Sequence, residues 1–214
     1  MKISILGDSI STYKGVSNDA AANEKTGINP SFYRLPFPLE RTYWMRVIRA
    51  LGAELCVNNS WSGGNLCGEG DPSSGLNRAS ALSRDDGARP DLIILFMGIN
   101  DLGRRVDADV FSRDYKRTLA RIAELYPAAA VCCVNIPDRD PVLKARAECF
   151  NAIIGEAALE AGGDFFVADL FGSRLKNDLY YVNTVDGLHP DEDGMAVIAE
   201  VVIGAIKRHF SVLS

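Results

Sequence analysis

Lysine and arginine form no run anywhere in the sequence, and together they number 23 against 28 aspartates and glutamates. A protein that binds nucleic acid needs a concentrated positive surface to displace counterions from the phosphates. With a formal net charge of -5 and no basic run, the sequence therefore indicates no nucleic-acid partner. It also has no apolar stretch near the roughly 20 residues that span a bilayer, so we predict no membrane-spanning segment.

Metal and redox motifs are missing as well. The five cysteines show no Cys-x-x-Cys or Cys/His spacing, and the only histidines are His189 and His209. We interpret the cysteines as reduced, mostly buried small hydrophobic residues, and we expect neither a metal nor a cofactor. The chain enters an apolar segment at Ile3, which leaves no room for an export signal, so we expect a cytoplasmic protein.

The composition is that of an ordinary globular protein, with 214 residues of which 47% are hydrophobic and 24% charged. A chain of this length buries about 70% of its surface on folding, which is enough for a core without disulfides or metals. Because no repeat, low-complexity segment or linker interrupts it, we predict a single domain over residues 1–214. The sequence does not indicate an oligomeric state.

Short apolar segments alternate with longer amphipathic ones along the chain. The predicted strands are Ile3 to Leu6, Glu54 to Val57, Leu92 to Met97, Ala130 to Val134 and Phe165 to Ala168. Apolar residues at steps of three and four predict helices over Trp44 to Leu51, Phe111 to Tyr126, Leu143 to Ala161 and Met195 to Ile206. This alternation predicts an α/β fold with a mostly parallel sheet and helices on both faces.

Polar residues at the strand ends are the candidates for chemistry, because ligands of parallel α/β sheets bind beyond the carboxyl ends of the strands. Gly7-Asp8-Ser9 follows the first strand and places a serine at the sheet edge; the alternative is a turn with a helix-capping serine. Ser62-Gly63-Gly64 follows the second strand, where adjacent glycines let the backbone approach a ligand. The alternative there is an ordinary turn.

Two more segments add polar groups to the same predicted edge. Asn100, just after the third of these strands, either directs its amide into the crevice or caps the next helix. Asp186 precedes His189 by three residues, so it can accept Nδ1–H and leave Nε2 free to take a proton. The alternative for His189 is a structural histidine. We expect His209, near the end of the last helix, to cap carbonyls or face solvent.

A serine, a glycine N–H, an asparagine amide and an Asp/His pair are the parts that acyl transfer needs. In order and approximate spacing, from residue 7 to residue 190, the four segments resemble the SGNH-hydrolase superfamily, the GDSL-type esterases. The resemblance implies a flavodoxin-like, three-layer α/β/α domain with a five-stranded sheet. It also implies a metal-independent hydrolase whose partner is a small-molecule ester.

Residue roles follow from the same resemblance. It implies that Ser9 is the nucleophile, His189 the base and Asp186 the residue that orients the base. The oxyanion hole would consist of the Ser9 and Gly63 N–H groups and the Asn100 side chain. One departure concerns the second segment, which often carries two glycines around a variable pair, whereas Ser60 stands in place of the first. Gly64 is therefore a rival to Gly63. Asp8 and Asp101 are expected to be structural.

The sequence limits the substrate less well. We favour a short-chain or acetyl esterase that acts on a small or carbohydrate-type substrate, and the alternative is a lysophospholipase or thioesterase. Trp61, Tyr33 and Trp44 are the candidate substrate contacts, and the last two belong to an aromatic cluster that core packing would explain as well. A non-catalytic glycan- or acyl-binding module on the same fold stays open. A flavin binder is a third alternative, although no phosphate-cradling G-x-G-x-x-G loop is present.

Overall fold

Five parallel strands form one sheet in the structure, a computed structural model that describes residues 1–17, 35–175 and 183–212. The order across the sheet is β2-β1-β3-β4-β5. The strands are β1 (Lys2–Gly7), β2 (Glu54–Ser60), β3 (Leu92–Phe96), β4 (Ala130–Val134) and β5 (Phe165–Ala168). Every residue of β3 and β4 is buried, as is typical of parallel strands covered on both faces. The predicted α/β fold is confirmed.

Helices cover both faces of this sheet. They are a short 3₁₀ helix (Leu39–Arg41), α1 (Tyr43–Ala50), α2 (Gly75–Arg78), α3 (Ile99–Gly103), α4 (Ala108–Leu125), α5 (Lys144–Glu160) and α6 (Glu192–Val212). The β1–β2 connection runs to one side of β1 and the later connections run to the other, so right-handed crossovers put their helices on opposite faces. Accordingly α1 packs against α6, and α4 packs against α5. The result is the three-layer, flavodoxin-like arrangement.

The strand boundaries agree with the sequence pattern except at the end of β2. This strand continues to Ser60, three residues beyond the predicted end, and pairs with β1 through Gly7. Its last residues are polar yet buried, because their side chains bond to loop carbonyls. The Asn58 amide donates to Ser11 O at 2.9 Å, and the Asn59 amide donates to Ala81 O at 3.0 Å. The apolar periodicity of the sequence could not predict this end of β2, because the buried side chains there are polar.

The last helix is attached to the sheet through His209, which neither caps carbonyls nor faces solvent as predicted. Its Nε2 lies 2.6 Å from Asp164 Oδ1, and its ring stacks on Phe166 at a centroid distance of 4.1 Å. Four cysteines are buried as expected, whereas Cys149 is exposed. None of the described helices has the length and apolar character that crossing a membrane requires.

Candidate active site

The candidate site lies where the strand order reverses. β1 pairs with β2 on one side and with β3 on the other, so the segments that follow these three strands emerge next to one another. In doubly wound α/β sheets this reversal opens a crevice at the carboxyl ends of the strands. Ser9 follows β1, the glycine loop (residues 61–64) follows β2, and Asn100 follows β3. The fold itself therefore brings these segments together.

Ser9, His189 and Asp186 form a continuous hydrogen-bonded chain. The Ser9 Oγ and His189 Nε2 atoms are 2.9 Å apart, although 180 residues separate them in sequence. His189 Nδ1 lies 2.8 Å from Asp186 Oδ2. Because an ionised carboxylate only accepts, Nδ1 carries the proton and Nε2 is left to accept from the serine hydroxyl. This is the geometry of a serine nucleophile with a neutral imidazole base.

A short turn holds the histidine in place. Asp186 Oδ1 accepts the backbone N–H groups of Leu188 at 3.0 Å and His189 at 2.8 Å, while its other oxygen faces the imidazole. Gly187 has a positive φ of 82°, a conformation that glycine adopts without strain. Thr184 Oγ1 accepts the Gly187 N–H at 3.0 Å. Asp186 therefore both closes the turn and orients the ring.

The turn after β1 depends on Asp8. Its Oδ1 accepts the N–H of Ile10 at 3.0 Å, and its backbone carbonyl accepts from Ser11 at 3.0 Å. Burial raises the pKa of Asp8 to about 7. The Ser9 N–H donates to no residue in the part of the chain that the structure describes, so it is available to a ligand. The Ser9 side chain is nearly buried, with the residue 5% exposed.

The two glycines of the glycine loop differ in whether their backbone N–H groups are available to a ligand. The Gly64 N–H donates to Trp61 O at 3.0 Å, and a Cβ atom at Gly64 would lie 2.7 Å from Ser73 O. Gly63 has a positive φ of 74°. Across the described ranges, its N–H has no hydrogen-bond acceptor. Of the rival residues, only Gly63 therefore has a backbone donor to offer a ligand.

The segment after β3 is joined to this loop by two side chains. The Asn100 amide donates one N–H to Gly64 O at 2.9 Å, which fixes the amide and leaves its second N–H for a ligand. Asp101 is fully buried, and its carboxylate accepts the backbone N–H groups of Leu66 at 2.7 Å and Cys67 at 3.0 Å. Burial raises the pKa of Asp101.

Arg78 is a site-adjacent residue that sequence analysis missed. It is only 6% exposed, and its guanidinium donates to three backbone carbonyls: Gly7 O at 2.9 Å, Ser73 O at 2.8 Å, and Asn59 O. Burial lowers the pKa of Arg78 to about 10. The residue lies in an aperiodic stretch that carries no motif, so the sequence offered no signal for its burial.

The three candidate substrate contacts have different outcomes. Trp44 is 0% exposed and belongs to the hydrophobic core, so its interpretation as a substrate contact is wrong. Core packing also accounts for the nearby aromatic residues Phe37 and Tyr43, whereas Tyr33 lies outside the described residues. Trp61 begins the glycine loop and is nearly buried, with its backbone N–H donating to Gly7 O at 3.2 Å.

Among the described residues, no group of three or more His, Cys, Asp or Glu side chains is arranged to hold a metal ion. The serine, the histidine, the aspartate and the three N–H donors at the carboxyl edge of this flavodoxin-like sheet are groups that acyl transfer uses.

A model of the GDSL-like Lipase/Acylhydrolase family matches residues 5–197. The chain belongs to this family and is an ester hydrolase. The search of curated proteins found no match.

Solved structures agree on the fold. A protein from Bacteroides uniformis described as a GDSL-like lipase has 25% identity and a TM-score of 0.71, with 97% of this chain and 95% of that one covered. A similarly described protein from Bacteroides ovatus has 21% identity, a TM-score of 0.72, and coverage of 97% and 98%. A carbohydrate esterase family 2 enzyme from Corynascus thermopiles has 20% identity, a TM-score of 0.68, and coverage of 98% and 66%.

Proposed function

We propose that the protein is a serine-dependent esterase that works through an acyl-enzyme and prefers short acyl groups, such as acetyl, on a small or carbohydrate-type alcohol. The observation that carries this proposal is the chain from Ser9 Oγ through the His189 ring to Asp186. Ser9, Gly63 and Asn100 follow three adjacent strands, and each has an N–H that no described residue accepts, as acyl transfer requires of oxyanion donors.

The first step forms the acyl-enzyme. His189 Nε2 takes the Ser9 hydroxyl proton while Oγ forms a bond to the ester carbonyl carbon, whose oxygen becomes negatively charged. The three N–H donors stabilise this oxyanion. The carbon–oxygen bond to the alcohol then breaks, and the imidazolium returns its proton to the leaving oxygen. Asp186 stabilises the imidazolium during this transfer.

The second step releases the acid. A water molecule gives a proton to His189 Nε2 and attacks the acyl carbon, so a second oxyanion forms at the same donors. The bond to Ser9 Oγ breaks, and Oγ recovers the proton from the imidazolium. Both steps use the same groups in the same positions.

Names of structural neighbours support a small or carbohydrate-type alcohol. The Corynascus thermopiles enzyme and a Clostridium thermocellum protein are both described as family 2 carbohydrate esterases, and a Pseudoalteromonas protein is described as an esterase. Trp61 lies two residues before the proposed oxyanion glycine and at the same sheet edge, so it is the aromatic residue that we assign to substrate contact.

The test is hydrolysis of p-nitrophenyl acetate, butyrate and octanoate by the wild type and by Ser9→Ala. Ser80→Ala is the matched control, because Ser80 is exposed and its hydroxyl contacts only Asn77 O at 3.4 Å. We expect Ser9→Ala to lose turnover of every ester, Ser80→Ala to retain it, and acetate to be the best substrate. A preference for octanoate would instead indicate a lysophospholipase or thioesterase type. Absence of wild-type turnover on all three would favour the binding module.

A further inference from the structure

Four arginines lie around the loops that follow α3 and β4 and have no carboxylate partner in the described part of the chain. They are Arg104, Arg105, Arg139 and Arg146. Other arginines of this acidic protein do pair with carboxylates, among them Arg41 with Glu192 and Arg174 with Glu200. The loops in question emerge at the carboxyl edge of the sheet, which is the edge of the candidate active site.

Arg104 lies directly against the glycine loop. A Cβ atom placed on Gly63 would be 3.8 Å from Arg104 Nη2, so the guanidinium borders the peptide that carries the proposed oxyanion donor. Its Nη1 donates to Asn65 Oδ1 at 2.7 Å, which holds the side chain in this position. The residue is exposed.

Arg139, in the loop after β4, lies near the end of α3, the helix that directly precedes Arg104. A Cβ atom on Gly103, the last residue of α3, would lie 3.8 Å from Arg139 Nη2. The Arg139 Nε is buried and has no hydrogen-bond partner among the described residues, and a buried donor left unpaired is unfavourable. Of the two acidic residues adjacent to it in sequence, Asp138 pairs with Lys144 at 3.4 Å, and Asp140 Oδ1 accepts the Val142 N–H at 2.8 Å. Arg139 is thus a cation whose buried donor lacks an acceptor.

We propose that Arg104 and Arg139 bind an anionic group, a carboxylate or a phosphate, that the ester substrate carries close to its scissile bond. The proposal rests on the proposed function, because it places this group beside the Gly63 oxyanion donor. A guanidinium offers a planar fork of donors that matches both anions, and such charge-assisted bonds are about twice as strong as neutral ones. The substrate class is therefore an ester with a negatively charged acyl or alcohol part.

The experiment compares matched pairs of esters. Mono-p-nitrophenyl succinate and its methyl ester differ by one charge in the acyl part, and 4-acetoxybenzoate and its methyl ester differ by one charge in the alcohol. 4-Acetoxyphenyl phosphate supplies the phosphate case. For the wild type we expect kcat/KM to be about tenfold higher or more for the anionic member of at least one pair, in line with one charged hydrogen bond.

Arg104→Gln and Arg139→Gln should each reduce that anionic-to-neutral ratio about tenfold, mainly through KM. Arg89→Gln is the control, since the exposed Arg89 guanidinium donates to Leu125 O at 3.1 Å on α4. Absence of a wild-type preference, or a ratio unchanged in both variants, would overturn the proposal. Ser9→Ala distinguishes failure of the proposed function from failure of this proposal. Retained turnover in Ser9→Ala would refute the proposed function. Lost turnover in that variant, together with no charge preference in the wild type, would refute only the substrate class.

An independent observation concerns Arg78, whose buried guanidinium joins three segments of the site. It binds the carbonyl of Gly7, two residues before Ser9, and that of Asn59 on β2. It also binds Ser73 O, and Nη2 would lie 3.3 Å from a Cβ atom on Gly64. We infer that Arg78 is a positioning residue that sets the separation between the Ser9 and Gly63 N–H donors without touching substrate.

Its test uses Arg78→Lys and Arg78→Met with Tyr126→Phe as control. The Tyr126 hydroxyl accepts the Leu82 N–H and donates to Ser80 O, both at 2.9 Å, so its loss weakens the segment after α2 without reaching the strand ends. We expect Arg78→Met to lower kcat about tenfold or more at nearly constant KM, because small displacements of catalytic groups carry such penalties. Arg78→Lys should recover part of the loss.

A double-mutant cycle separates positioning from plain stability. If Arg78 acts through the oxyanion donors, its variants should be non-additive with Asn100→Ala, because each disturbs the same hole. Additive effects, or a loss of kcat no larger than that of Tyr126→Phe at equal loss of thermal stability, would contradict the inference. The lysine variant retains a buried cation and keeps the comparison possible if the methionine variant does not fold.

Discussion

The two halves of the candidate site are built differently. The half that contains Ser9, the glycine loop and Asn100 is mostly buried and is held by contacts between segments far apart in sequence, as in the bonds from Arg78 to Gly7 and from Asn100 to Gly64. The half that contains Asp186 and His189 is a local turn, in which the Asp186 side chain is 38% exposed and the His189 side chain 12%.

Because of this difference, we expect substitutions in the two halves to affect turnover and folding stability differently. The hydrogen bonds within the turn join residues close in sequence, so we expect changes there to affect turnover more than folding. Changes in the buried half leave backbone donors or acceptors without partners, so they should affect both. Four predictions test this contrast, in order of decreasing expected effect.

His189→Ala should have the largest effect on activity. Without the imidazole no group takes the Ser9 proton, and loss of a base in such a unit lowers kcat by about 10⁶. Thermal stability should change little. The measurements are steady-state hydrolysis of p-nitrophenyl acetate and a thermal unfolding curve. Turnover above about one per cent of wild type would be incompatible with His189 as the base.

Asp186→Asn should reduce kcat by about 10⁴, because an amide facing Nδ1 no longer selects the required tautomer. The amide oxygen can still accept the Leu188 and His189 N–H groups, so the turn should persist. Kinetics and thermal unfolding of Asp186→Asn and Asp186→Ala, measured together, check this. If the alanine variant alone loses activity, Asp186 acts by closing the turn rather than by orienting the ring.

Asn100→Ala tests the buried half. Removing one oxyanion donor lowers kcat by about 10²–10³. It also leaves the Gly64 carbonyl without its partner, at about 1 kcal/mol of stability, so this variant should show both losses. Urea unfolding and kcat measured on the same preparations provide the test. A loss of kcat with no change in the free energy of unfolding would contradict the proposed contrast between the halves.

Asp8→Asn should have the smallest effect on activity of the four, together with a pH-dependent gain in stability. Burial raises the pKa of Asp8 from 3.8 to about 7, so folding favours its protonated form. The stabilisation is therefore present at about pH 4 and is lost as the pH rises to about 7. Asparagine carries no charge, so the variant should gain on the wild type over this range and by a constant amount above it.

The upper limit of this gain is about 4 kcal/mol, from about 1.4 kcal/mol per pKa unit. Urea unfolding at about pH 5, 6, 7 and 8 measures it. Asp86→Asn is the control: Asp86 is exposed, and the Arg84 guanidinium and the Ala88 N–H lower its pKa. Its contribution therefore changes only below about pH 4. Equal pH profiles for both variants would refute the buried-carboxyl interpretation of Asp8.

Most of the strands and helices were predicted from patterns within single segments of the sequence. β4 and β5 have the predicted bounds, and α4 (Ala108–Leu125) covers most of the helix predicted over Phe111 to Tyr126. The end of β2 could not be predicted, because Asn58 and Asn59 are buried through hydrogen bonds to loop carbonyls rather than through apolar contact. The prediction of Trp44 as a substrate contact was wrong for a similar reason. Trp44 looks the same in sequence whether it lines a crevice or packs in a core.

Within the candidate site, some features also depend on neighbouring residues and others on tertiary contacts. The sequence alone determined the strand–helix alternation, the four polar segments and the Asp186–His189 turn, because each depends on residues a few positions apart. Only the tertiary structure decided that Gly63 rather than Gly64 has an available N–H, since Trp61 and Asn100 engage the Gly64 peptide. It also decided that Arg78 is buried against three strand-end and loop carbonyls. Hydrogen bonds between segments depend on which backbone groups the sheet brings together, and no local pattern encodes that.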